Sequence, residues 1–179
     1  MEITNDPLRI LLLIILIGFA TWTDLKSMKI HNKHTMTAVV IGLAVNVVLY
    51  GKYGLLVSLC GMSVGFLVVL LIYLIGGVRA GDVKLFAGIG SIMGVIYVLN
   101  TIVYSLMCSA LIGMIILLYR GELRKRMANL ANTILFIIVS KDISPLKEYS
   151  QGSGFSIPFM YAVVPSSILS AIMPIKIWN

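Results

Sequence analysis

Six stretches of this chain carry no Asp, Glu, Lys or Arg: Ile10–Thr23, Thr35–Gly51, Tyr53–Val78, Leu85–Tyr119, Met127–Ser140 and Tyr149–Ile175. An α-helix needs about 20 mostly apolar residues to cross the hydrocarbon of a bilayer, and about 17 at the least. Runs of this kind, repeated along one chain, have few homes other than a membrane. Composition closes the alternatives. The 179 residues are 59% hydrophobic and 12% charged, whereas a soluble domain carries roughly 25% charged residues. So few charges cannot cover a soluble surface without leaving large apolar patches. A cytosolic enzyme, a disordered chain and a disulfide-stapled secreted domain are excluded together. Cys60 and Cys108 lie inside apolar runs with no CxxC or metal-ligand spacing, and read as packing residues.

The expected fold is all-α and polytopic, a single membrane-embedded domain with no internal repeat. The run Leu85–Tyr119 is 35 residues long, too long for one helix, and the polar step Asn100-Thr101 is the expected turning point. That gives about six crossings, near 8–23, 35–51, 54–76, 84–99, 101–119 and 156–175. Leu8 and the stem of Arg9 extend the short first run by snorkelling. The first segment is not expected to be a cleaved signal: Glu2 and Asp6 outweigh Arg9, and Thr21-Trp22-Thr23-Asp24 offers no small-x-small site. Met127, Leu130, Ala131, Ile134 and Ile138 recur at helical spacing after the basic cluster Arg120–Arg126, which predicts an amphipathic helix on the cytoplasmic interface, held by anionic membrane lipid. Ser150–Gly154 reads as a loop. With six crossings, eleven of the fourteen basic residues share one side, leaving Arg9, Lys52 and Lys176 on the other. Both termini are then outside and the basic loops cytoplasmic. The net charge of +7 is an orientation signal and not a nucleic-acid surface.

Seven acidic residues exist, and five lie in tails or loops: Glu2, Asp6, Glu122, Asp142 and Glu148. Asp24 and Asp82 differ, because each sits at the boundary of an apolar helix, where an ionisable group marks a candidate site. Both fall on the cytoplasmic side. If the first and fourth crossings pack together, two carboxylates face each other in a poorly solvated place and tend to share one proton. One can then activate a water while the other polarises a carbonyl. Two plainer readings stand beside this one. Asp24 can pair with Lys26 or Lys29, and Asp82 with Arg79 or Lys84; Asp82 can also cap the helix that follows it. The glycines Gly76, Gly77 and Gly81 favour close approach of another backbone.

The segment Gly76-Gly77-Val78-Arg79-Ala80-Gly81-Asp82-Val83-Lys84-Leu85, with Gly88, Gly90 and Gly94 after it, resembles the GxGD region of the type IV prepilin peptidases. Asp24-Leu25-Lys26 followed by Ile30-His31-Asn32 resembles that family's first catalytic Asp and its Ile-Pro-Asn, and Ile157-Pro158-Phe159 resembles a further family segment. Two departures stand out: Arg79 occupies the first glycine of the motif, and His31 replaces proline. The zinc-binding cysteines of longer members are missing, so the resemblance is to the short, peptidase-only form.

The resemblance implies a membrane aspartic endopeptidase with Asp24 and Asp82 as catalytic pair and no metal or cofactor. Gly77 and Gly81 would serve substrate access, and Lys84 would be an interfacial anchor. Its partner would be a prepilin-like protein whose short basic leader is cut ahead of an apolar helix. The residues by themselves leave open a small ion- or proton-coupled transporter, with the aspartates as ion sites, and a non-enzymatic assembly subunit docking through its basic loop. The steps Gly61–Gly65 and Gly90–Gly94 predict close helix packing, within the chain or between copies.

Overall fold

The computed structural model describes residues 6–27, 32–119, 121 and 159–173. Within them the fold is all-helical: α1 (Pro7–Ser27), α2 (Asn32–Leu74), α3 (Ala80–Met93), α4 (Val95–Tyr119) and α5 (Met160–Ile172). The segments expected to form the interfacial helix and the 150–154 loop lie outside the described residues. Among the described residues three helices are long and apolar enough to cross a membrane, over Pro7–Asp24, Thr35–Leu74 and Val95–Ile116. The side chains are distributed as hydrocarbon demands. Leu11, Ile14, Val48, Leu71, Ile96 and Leu111 face outward, while Asn46, Ser58, Ser91, Thr101, Ser105 and Ser166 are buried. A soluble protein does the reverse. This is a membrane protein.

α1 starts on Pro7, whose fixed φ suits a first turn, and the carbonyl of Asp6 accepts from the amides of Arg9 and Ile10. Arg9 does not snorkel outward as expected. It is fully buried, its guanidinium 4.6 Å from the centre of the Tyr50 ring and its Nε 3.8 Å from Asp6. An aromatic face and a carboxylate give the cation partners inside the bundle.

α2 is two helical limbs joined at Gly51, which takes φ 59° and ψ −136°. In a straight helix Asn46 and Ser58 would stand about 18 Å apart. Their side chains are hydrogen-bonded at 2.6 Å, so the chain doubles back at the glycine. The limbs correspond to the expected runs 35–51 and 54–76.

α3 lies between these limbs. Gly42 approaches Ser91 and Ile92 from the first limb; Gly65 approaches Phe86, and Gly61 approaches Gly90 and Gly94, from the second. At the Gly61–Gly90 crossing a Cβ on either residue would strike the other's carbonyl oxygen. Both small-xxx-small steps are therefore used inside the chain, against each other. Leu16 of α1 packs on Gly88.

The expected break at Asn100-Thr101 is corrected. α4 runs through both residues, and the helix breaks at Gly94, with φ 91° and ψ −177°. Thr101 bonds the Tyr97 carbonyl at 2.8 Å, so its hydroxyl is satisfied within its own helix and ends nothing. The break at Gly94 leaves carbonyls near the end of α3 without partners from the following turn. Asn46 Nδ2 reaches the carbonyls of Ser91 (2.8 Å) and Ile92 (3.2 Å), and Ser58 Oγ donates to Ser91 at 2.7 Å. Side chains of the α2 hairpin thus supply the cap that water cannot supply there. α5 is fixed to α4 by Tyr97 Oη donating to the Ser167 carbonyl and Tyr104 Oη to the Met173 carbonyl, both at 2.7 Å.

Replacing Gly61 or Gly90 with Val is expected to destabilise the fold by about 2 kcal/mol or more, the scale of core overpacking. Gly113, with nothing within 4 Å of where its Cβ would lie, is the control. Thermal unfolding in detergent should show the loss for the first two and little change for Gly113→Val.

Candidate active site

The glycine pair after α2 is a helix stop. Gly76 takes φ 84°, its amide bonds the Tyr73 carbonyl at 2.9 Å, and the Gly77 amide bonds the Ile72 carbonyl at 3.0 Å. This is a Schellman termination, which needs glycine at its left-handed position. The chain then runs extended through Arg79 (φ −93°, ψ 158°) and turns into α3. The Arg79 amide donates to Asp82 Oδ2 at 3.0 Å, and the Asp82 amide to the Arg79 carbonyl at 3.0 Å. Asp82 is thus held in the first turn by the backbone of the residue three before it, as in a capping box. The carboxylate also sits where a helix dipole favours negative charge.

Asp24 lies near the end of α1. Its Oδ1 is 3.9 Å from a terminal guanidinium nitrogen of Arg79, and its Oδ2 accepts from the Met160 amide at 3.4 Å. Met160 opens α5, and its amide is one of those a helix start leaves unpaired. The start of α5 is placed by Phe159, which meets Phe86 edge-on at 6.4 Å, one turn beyond Asp82 on the same face of α3. Asp24 and Asp82 are 3% and 2% exposed. Arg79 therefore touches both acids, one through its backbone and one through its side chain.

Of the plainer readings, helix capping describes Asp82 in part. Its bond to Arg79 goes to the backbone, and the guanidinium pairs with Asp24 instead. Lys29 and His31 lie outside the described residues, as does the side chain of Lys26. Gly77 belongs to the helix stop, and Gly81 stands in the first turn of α3, directly before Asp82. Lys84 stands on another face of α3. It lies about 200° around α3 from Asp82 and lines a cavity of about 370 Å³ with Thr35, Met62, Phe66 and Ala87. The Met160 amide was not legible in the sequence, although Ile157-Pro158-Phe159 marked its neighbourhood. Among the described residues no three His, Cys, Asp or Glu side chains stand together as a metal site would require.

Asp82 precedes the apolar part of α3 and lies outside the three helices long enough to cross. Burial pushes its carboxyl up to about 6. The Arg79 amide opposes that rise, the Asp24 carboxylate adds to it, and the Arg79 guanidinium opposes it. A carboxyl raised in this way costs nothing below its unfolded value, near 4. It destabilises the fold progressively as pH rises through about 6, by roughly 3 kcal/mol at neutral pH on the usual conversion. Asp82→Asn removes the charge and keeps an oxygen for the Arg79 amide. The variant should unfold at higher temperature than the parent above pH 6, with the gap closing towards pH 4. A gap independent of pH would count against this electrostatic account.

No curated protein and no solved structure matches the chain. The type IV leader peptidase family does, over residues 11–118. That stretch is more than half of the chain and contains α2 and α3 whole, with Asp24 and Asp82 both inside it. The chain belongs to the type IV leader peptidase family, a family of proteases, and it carries the two buried acids within the part that places it there.

Proposed function

We infer that the protein is a membrane aspartic endopeptidase that removes the short basic leader of a prepilin or prepilin-like substrate, with Asp24 and Asp82 as its catalytic residues. The observation that carries this reading is the burial of two carboxylates at one end of the bundle, both in contact with Arg79. Family membership supports the leader-peptidase class.

The reaction follows from the pair. One carboxylate takes a proton from water as the water oxygen bonds the scissile carbonyl carbon. The other carboxyl gives its proton to the carbonyl oxygen. Collapse of the tetrahedral intermediate breaks the C–N bond, and the amine leaves with a proton returned through the pair. No metal or cofactor is needed. A scissile bond immediately ahead of an apolar helix suits acids at a membrane boundary, because the helix stays in the lipid while the leader stays in water. In this reading the chain crosses about six times, α3 being a short crossing set inside the bundle, with both termini outside and the acids at the cytoplasmic face. The distribution of basic residues, eleven against three, supports that orientation.

The test is cleavage in membranes of a substrate with a short basic leader ahead of an apolar helix. Asp24→Asn and Asp82→Asn should each lower the rate about 100-fold or more, the scale of one acid–base group. Unfolding temperatures confirm that each variant is folded. Full activity in either folded variant would overturn the reading.

A further inference from the structure

Arg79 stands at the mouth of the acid pair, and the proposed chemistry does not use it. Its side chain is 40% exposed, while that of Asp24, which it reaches, is 5% exposed. The guanidinium therefore runs from the solvent side inward to a buried acid. Its backbone is fixed independently, as the extended residue that opens α3 and donates to Asp82. The bond to Asp82 exists whatever side chain stands at position 79, whereas the contact with Asp24 exists because the side chain is Arg.

Two carboxylates in a low-dielectric place repel each other and tend to turn apart. Asp24 has few groups to resist that turn. Among the described residues its partners are the Met160 amide at 3.4 Å and the Arg79 guanidinium, an ion pair at 3.9 Å. Arg79, directly ahead of α3, reaches it with its guanidinium, and the start of α5 offers it the Met160 amide. We propose that Arg79 is a positioning residue, whose guanidinium holds Asp24 turned towards Asp82 while its own amide holds Asp82, so that one residue sets the geometry of the pair. An ion pair reaching the solvent adds little to stability. Its use here is orientation. This inference rests on the reading of Asp24 and Asp82 as catalytic.

The experiment compares Arg79→Lys, Arg79→Gln and Arg79→Gly in the leader-cleavage assay, with kcat and KM measured separately on protein shown to be folded. All three keep the backbone donor to Asp82. Lysine keeps the charge, glutamine keeps most of the reach without charge, and glycine removes both and loosens the chain. Lysine should stay within about threefold of the parent. Glutamine and glycine should each lose about 10-fold in kcat at unchanged KM, a small part of what misplacing a reacting group can cost. Parental kcat in Arg79→Gln would overturn the proposal, because the charge would then orient nothing. A rise in activity in Arg79→Gln or Arg79→Gly would also overturn it, by showing that the guanidinium covers the pair. So would a change confined to KM, which would place Arg79 on the substrate. The parent and Asp82→Asn separate the two levels. If the parent does not cleave, or Asp82→Asn cleaves fully, the functional reading fails. If the parent cleaves, Asp82→Asn does not, and Arg79→Gln equals the parent, only the positioning role fails.

Discussion

The backbone contact between Gly61 and Gly90 fixes the place of α3, and through it the place of Asp82. α3 has 14 residues and is about 21 Å long, short of the roughly 30 Å that a bilayer core demands of a spanning helix. Its position therefore comes from its neighbours. Glycines on both sides let the second limb of α2 approach until backbone meets backbone. The first limb lies on the other side, where Asn46 caps the carbonyls that the Gly94 break exposes. A helix held by close packing and by its cap has little freedom to slide. Asp82 sits about 12 Å along the axis from Gly90, so a shift at the glycine crossing is a shift at the acid.

The other partners of the site are set in the same way, by helix ends. α1 packs on α3 through Leu16 and Gly88, which brings its C-terminal Asp24 level with the start of α3. α5 arrives with its first turn at the same end, through the Phe86–Phe159 contact. Helix starts carry unpaired amides and a positive dipole end. Two of them, those of α3 and α5, meet here with the two acids. Deeper in the bundle Asn46, Ser58, Ser91 and Thr101 donate to carbonyls, while among the described residues the buried Asn100 side chain finds no hydrogen-bond partner. The two buried acids stand where helix starts offer amide donors, whereas the buried Arg9 relies on the Tyr50 ring and Asp6.

Much of this was legible in the residues. Charge and length set α1 and the α2 limbs apart, and the scarcity of acids picked out Asp24 and Asp82. Gly51 ends one apolar run and Lys52 parts it from the next, which is where the turn lies. What misled was polarity taken as a sign of a break. Asn100-Thr101 looked like a turn because polar residues are costly in lipid, but a threonine pays for itself by bonding the carbonyl four residues back. The break went to Gly94, the residue whose positive φ it required. Arg9 misled similarly: its charge suggested an outward reach, and a distant ring, Tyr50, drew it inward. Partners remote in sequence were not legible. Arg79 lies near Asp82 in the chain, and its guanidinium pairs with Asp24.

That pairing bears on how a buried acid pair is tolerated at all. Desolvation alone raises the cost of a carboxylate at Asp82, and a second carboxylate raises it further. Two features of the same residue oppose the cost, the amide of Arg79 and its guanidinium. They differ in kind. The amide is a product of the fold, present once Gly76 and Gly77 have ended α2 and the chain has turned into α3. The guanidinium is a product of sequence, present because one side chain at the mouth is long and charged. A site built this way holds Asp82 through the backbone of position 79, while Asp24 meets the Arg79 side chain from one direction and the Met160 amide from another.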